Sequence, residues 1–408
     1  MIYKSKKDFI VSSALILFLI ASFYGLIIRW SFTFPTEVIS YKNILQAHSH
    51  VAFLGWGYIA SLVLINNLFI KDKQVLLKFY NVTTKIIIVV IFLMLISFPL
   101  VGYRFFSIVL LSAFGIVSYI ISFQLLKNIK EKSISAKLIR FGIYYYLLSS
   151  LATWFLAFVI VTQGKSVLYY NTIYFYLHFL YNGYFVFVLF GLLFKLFENQ
   201  NISICTKHQN QFFIFLNIAC IPAYTLSILW SNVSIVFNFI GFLASILQLI
   251  SLIYLIKILR KIIIHLNWTY TSKLLLKIAV ISYIIKICIQ IISAFPYIVT
   301  QSLALKHYFI IGYLHLFTLG FMTSMLFLLL IQIKKLEIQS GVSKIGTFTF
   351  LIGIIGTEFL LFYQGFLFLL KFNAIKFYNF EMLFFSFLLV IGLLLMLFPN
   401  LFLRAKKL

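Results

Sequence analysis

The run QAHSHVAFLGWGYIASLVLINNLFI, Gln46–Ile70, decides how this chain is read. From Val51 onward it carries no charged residue, and at 1.5 Å rise per residue such a run covers the ~30 Å of a hydrocarbon core. It reads as a membrane-spanning helix. Two histidines, His48 and His50, stand at its mouth, with Gly55 and Gly57 behind them.

The rest of the chain repeats the apolar pattern. With 63% hydrophobic and 10% charged residues and a mean hydropathy of +1.09, the composition excludes a soluble globule of 408 residues. Spanning runs fall at about 8–30, 44–69, 82–103, 105–126, 138–162, 168–196, 211–230, 233–257, 274–299, 306–333, 344–370 and 380–403. The expectation is an all-α integral membrane protein of twelve transmembrane helices, forming one domain over 1–408 with no linker or soluble insert. The first run follows Lys4, Lys6 and Lys7 and ends at Arg29 and Trp30 without a small-residue cleavage site. It is expected to be a retained span and not a signal peptide.

The net charge of +25 does not point to nucleic acid, because the basic residues lie in short clusters between apolar runs. Lys71, Lys73, Lys78 and Lys85 follow span 2; Lys127, Lys130, Lys132, Lys137 and Arg140 follow span 4; Lys257, Arg260, Lys261, Lys273 and Lys277 follow span 8. With both termini and the loops after spans 6 and 10, this side holds 25 of the 33 basic residues. The positive-inside rule therefore puts both termini in the cytoplasm, and spans 2, 6 and 10 run from outside to inside. Cys205, Cys220 and Cys288 are too widely separated to imply a disulfide framework or a Cys-rich metal site.

Five of the seven histidines share a depth. His48 and His50 lie near the outer start of span 2, His178 about a third of the way into span 6, and His307 and His315 in the outer part of span 10. His208 and His265 fall in cytoplasmic loops. Ionisable side chains inside a membrane are costly and face the bundle interior with a partner or a ligand. Two neutral imidazoles from different helices can hold a haem iron as a six-coordinate low-spin electron carrier. Helical spacing puts Ala52 and Gly55 on the face of His48, Gly57 and Ser61 on that of His50, and Gly312 and Gly320 around His315. Arg29 and Arg104 sit at the outer ends of spans 1 and 3, at the level of a haem's propionates. The plainer alternative is that the histidines hydrogen-bond neighbouring helices as packing.

Three short motifs resemble the haem-copper oxidase catalytic subunit superfamily, especially the cbb-type cytochrome c oxidase branch. In span 2 the family has a His followed by a small-aromatic-Gly group, and here His48 precedes Gly55, Trp56 and Gly57. The resemblance makes His48 the low-spin haem ligand, with His50 in reserve; the two are about 200° apart on a helix, so one alone can face a shared partner. In span 10 the family's signature ends in His-x-His-Leu. FIIGYLHLFTLGF, Phe309–Phe321, matches its second, low-spin ligand with His315 and puts Tyr313 where the high-spin haem ligand belongs.

In span 6 a copper-binding His followed by Asn and Gly is matched by His178, Asn182 and Gly183, on a face that also carries Asn171, Tyr174 and Tyr181. The family's His pair near span 7 has no counterpart in Gln211–Asn232. The resemblance thus implies a bis-histidine haem b, His178 as a remnant copper ligand, no stoichiometric copper and an incomplete oxygen-reducing centre. His178, Tyr313 and His307 would line a degenerate second pocket. Haem- and copper-containing membrane proteins of the nitric-oxide response are similar too, through His-x-His early in the chain and His-x-x-x-x-Gly late, as in His315 to Gly320.

Other polar residues are sparse within the spans. Glu358 in span 11 and Lys286 in span 9 are the charged ones, joined by Asn217, Asn238, Gln248, Gln290 and Gln364. Lys286 reads as a packing or snorkelling cation. Pro222 and Pro296 are expected to kink spans 7 and 9. The leading expectation is a haem-binding oxidase-subunit-like protein of a bacterial cytoplasmic membrane, working with other respiratory-chain subunits or a cytochrome electron donor. The alternatives are a proton-coupled small-solute transporter of twelve spans, or an accessory or assembly subunit without cofactors.

Overall fold

The computed structural model describes residues 8–34, 40–70 and 74–403. Lys4, Lys6, Lys7, Lys71 and Lys73, which carry part of the topology reading, lie outside the described residues. Every regular element among the described residues is helical. The spans are α1 (Phe9–Thr33), α2 (Tyr41–Ile70), α3 (Gln74–Val101), α4 (Phe105–Asn128), α5 (Ile134–Gln163), α6 (Val167–Asn199), α7 (Thr206–Cys220 with Pro222–Ser231), α8 (Ile235–Ile262), α9 (Tyr270–Ser293), α10 (Lys306–Gln332), α11 (Gly341–Leu369) and α12 (Tyr378–Leu401). Among the described residues eleven are single helices long and apolar enough to cross a membrane, and they become twelve if the bent pair in α7 is one span. The chain is a multi-pass helical membrane protein.

Local chemistry sets where several helices begin. An N-cap side chain accepts a hydrogen bond from a first-turn N–H that has no intrahelical partner. Asp8, Ser133, Ser166, Ser234, Thr269 and Ser340 do this for α1, α5, α6, α8, α9 and α11. Pro222 breaks α7 with a bend of 47°, as expected. Pro296 does not kink α9: the helix ends at Ser293, and Pro296 opens a separate short helix, Pro296–Leu303. A proline at the first helical position loses nothing, because its missing N–H would have been unpaired there.

The chain packs as two compact units, Met1–Gln124 with Leu326–Leu408, and Leu125–Met325. Both boundaries fall inside helices, α4 and α10, so the division involves no linker. In the first unit Trp56 is fully buried and stacks on Phe18 with ring centroids 4.9 Å apart. Here α11 and α12 meet backbone to backbone: a Cβ on Gly346 would strike the main chain at Gly392 and Met396, and one on Gly392 the main chain of Phe350. In the second unit Phe190 packs on Phe212, Tyr283 and Phe321. In the same unit Lys195 pairs with Glu131 at 2.6 Å and reaches Glu198 at 3.7 Å.

Small residues let membrane helices approach closely where the hydrophobic effect supplies no driving force between them. Gly392→Leu is therefore expected to cost about 1–3 kcal/mol through overpacking and to lower the thermal midpoint in detergent. Gly341→Ala, where a Cβ meets nothing within 4 Å, should leave the midpoint in place. Equal midpoints for both variants would contradict this account of the α11–α12 contact.

Candidate functional site

Helices α2, α6 and α10, which carry five of the seven histidines, are the most buried: 83%, 89% and 78% of their apolar windows are inside the protein, against at most 56% for the other unbroken spans; His208, expected in a loop, lies in the first turn of α7. They share a second property that hydropathy does not reveal. Directly after a histidine, each passes from α to π geometry: Val51–Tyr58 after His50, Phe179–Phe185 after His178, and Leu316–Thr323 after His315. Such segments recur at functional sites. The signal is legible in the sequence once the three helices are set side by side, because each reads His-x-x-x-x-Gly: His50 to Gly55, His178 to Gly183, and His315 to Gly320.

Gly55 meets Val51, Leu17 and Ile91. The glycine that clears the ring of His48 is Gly25 on α1, where a Cβ would sit 3.0 Å from His48 Cε1. Gly320 serves the contact with Ser282 on α9.

His48 and His50 face different helices. His48 Nδ1 lies 2.8 Å from the carbonyl oxygen of Ala21 on α1, so Nδ1 is the donor and Nε2 bears the lone pair. That is the arrangement by which a metal-binding imidazole is oriented from its far side. His50 Nε2 is instead hydrogen-bonded to the Tyr103 hydroxyl, and its ring lies on Phe98, 4.7 Å between centroids. Arg29 is half-buried, within electrostatic range of His48, Glu358, Tyr41 and Tyr378. Arg104 is exposed in the turn between α3 and α4.

In the second unit the break in α7 explains His178. Pro222 has no N–H to offer the carbonyl of Ile218, and the bend that follows disturbs the neighbouring bonds. Two side chains meet the freed carbonyls: the Tyr145 hydroxyl donates to Asn217 at its main-chain oxygen (3.3 Å) and at Oδ1 (2.9 Å), and His178 Nε2 donates to the Cys220 carbonyl at 2.8 Å. Asn182 Nδ2 lies 3.2 Å from His178 Nδ1. Both ring nitrogens of the expected remnant copper ligand are thus committed to the protein. Tyr313 is within reach of Asn182, so His178, Asn182 and Tyr313 do come together. His307 stands exposed at the start of α10. His315 is half-buried at the point where α10 enters its π segment.

Several of the remaining intramembrane polar residues have identifiable partners. Asn238 Nδ2 donates to the Ala294 carbonyl past the end of α9, and Gln364 Oε1 accepts from the Ile375 N–H in the loop after α11. Glu358 is 7% exposed. Lys286 does not snorkel: it is 1% exposed and donates to Gln290 and Gln248. Sequence reading missed Gly25, Tyr103 and Tyr145, each of which is defined by a neighbour on another helix. No protein-family model matches this chain, and no curated protein matches it.

His178→Ala is expected to destabilise the protein by about 1–3 kcal/mol, the cost of leaving a buried carbonyl unpaired, read as a lower thermal midpoint. His178→Gln should recover part of the loss by donating from its amide. A midpoint unchanged by His178→Ala would remove the capping role.

Proposed function

We propose that this is a haem-binding, electron-carrying membrane protein of the oxidase-subunit type, set in a bacterial cytoplasmic membrane with both termini on the cytoplasmic side. The observation that carries the reading is the Nδ1–H donation from His48 to Ala21, with Gly25 clearing the same ring. A b-type haem is compatible with this imidazole, because an axial ligand needs Nε2 bearing the lone pair and a ring plane fixed from the far side. A haem so held supplies one-electron chemistry. The chain's own part is to ligate, orient and keep out water.

His48 is the axial ligand on α2, and the second ligand, assigned by the sequence, is His315. His50 is committed to Tyr103 and has a packing role. Both ring nitrogens of His178 are occupied by protein groups, which argues against copper there. Oxygen reduction is accordingly not part of the proposal; passage of electrons between a donor such as a cytochrome and other respiratory subunits is. A second reading, a transporter, is favoured by one observation, the break in α7 inside the membrane, which in transporters accompanies a solute site.

Single variants separate the histidines. After expression with ample haem, His48→Ala and His315→Ala should lose most of the haem bound per chain, and His50→Ala should retain it. Gly25→Val, which crowds the His48 ring, should lose haem while the protein still folds. Full haem content in His48→Ala would sink the assignment.

A further inference from the structure

Lys286 stands near the middle of the membrane on α9 and is 1% exposed. Its Nζ donates to Gln290 Oε1 at 3.1 Å and to Gln248 Oε1 at 3.4 Å, and lies 5.2 Å from the centre of the Tyr283 ring. These partners offer dipoles and a π face, but no charge. The compact unit that holds Lys286 contains two acidic residues, Glu131 and Glu198, and both are gathered by Lys195. No carboxylate in that unit is left to balance a buried ammonium, and a buried charge without a counter-charge is among the costliest things a membrane protein can hold.

Hydrogen bonding is unbalanced in the same direction. By turning their carbonyl oxygens to the amine, the two glutamines leave their amide N–H groups to find other acceptors. Gln248 Nε2 has no partner, and neither does the Tyr283 hydroxyl, on residues that are 3% and 0% exposed. An ammonium has three donors, of which two are used. The cluster therefore combines a basic amine with surplus donors, and its one unused acceptor is the Tyr283 hydroxyl oxygen itself.

We infer that Lys286, with the Gln248 amide and the Tyr283 hydroxyl, forms an intramembrane binding site for a single small inorganic anion of charge −1. One such ion supplies the missing counter-charge and accepts from the orphaned donors. A water molecule would supply the second and not the first. The orphaned atoms are closed to solvent, so the occupant is of halide or nitrate size and not an organic acid. This site is independent of the haem ligands proposed above.

The test uses the full-length protein in detergent at fixed ionic strength, with gluconate replaced stepwise by chloride or, separately, by nitrate. Because a ligand that binds the folded state alone raises its stability with concentration, the thermal midpoint should climb and saturate with at least one of the two; which one identifies the ion. Lys286→Met, which keeps the volume and removes the charge, should abolish the dependence. Should that variant fail to fold, Gln248→Leu is the substitute, with the half-saturating concentration raised roughly tenfold or more, as for loss of a hydrogen bond to a charged group. Identical wild-type midpoints in gluconate, chloride and nitrate would overturn the inference, as would an unchanged dependence in Lys286→Met.

Discussion

Inside a bilayer there is no water to satisfy a backbone N–H or C=O, so every departure from regular helix must be met by a protein group. Much of this structure follows from that constraint. Where Pro222 opens α7, Tyr145 and His178 supply the lost donors. Where α9 ends, Asn238 reaches the Ala294 carbonyl; near the end of α3, Asn43 reaches that of Pro99. Polar residues that looked like scattered candidates for chemistry are, in large part, repairs to the backbone. This sorts the histidines by what their ring nitrogens do. His178 gives its N–H to a broken helix, and His50 is engaged by a tyrosine. His48 is oriented through Nδ1 by the Ala21 carbonyl on an unbroken helix, which fixes its tautomer.

The spans were legible because hydropathy and length are local properties, and a bilayer imposes them directly on the sequence. The break at Pro222 was legible for the same reason. Pro296 was not, since a proline that kinks one helix and a proline that opens the next look alike until the preceding helix is known to end at Ser293. The π segments that begin at Val51 and Leu316 were not legible, because 3.6-residue spacing assumes α geometry throughout. The choice between His48 and His50 depended on Ala21, Gly25 and Tyr103, which no spacing rule connects to them. Of the two readings of Lys286, packing or snorkelling, its neighbours decide: Gln248 and Gln290 hold it inside the protein. The threefold His-x-x-x-x-Gly pattern was present in the sequence throughout, on every fourth helix from α2, and needed only the comparison of helices far apart in the chain.

Function rests on fewer residues than fold does. The α11–α12 glycines and the aromatic packing around Trp56 and Phe190 would serve any helical membrane protein. The two proposals draw on different residues, the histidines of α2 and α10 for the haem and the cluster around Lys286 for the anion, and they make separate demands: an imidazole lone pair for the one and a negative charge beside an amine for the other.

A reduced-minus-oxidised optical spectrum of the purified protein, with pyridine haemochrome quantitation after expression in ample haem, reaches the central claim most directly. The haem reading predicts the sharp α-band of a low-spin b-type haem at about one haem per chain. A flat spectrum from folded protein would contradict it and leave the histidine helices to packing and transport.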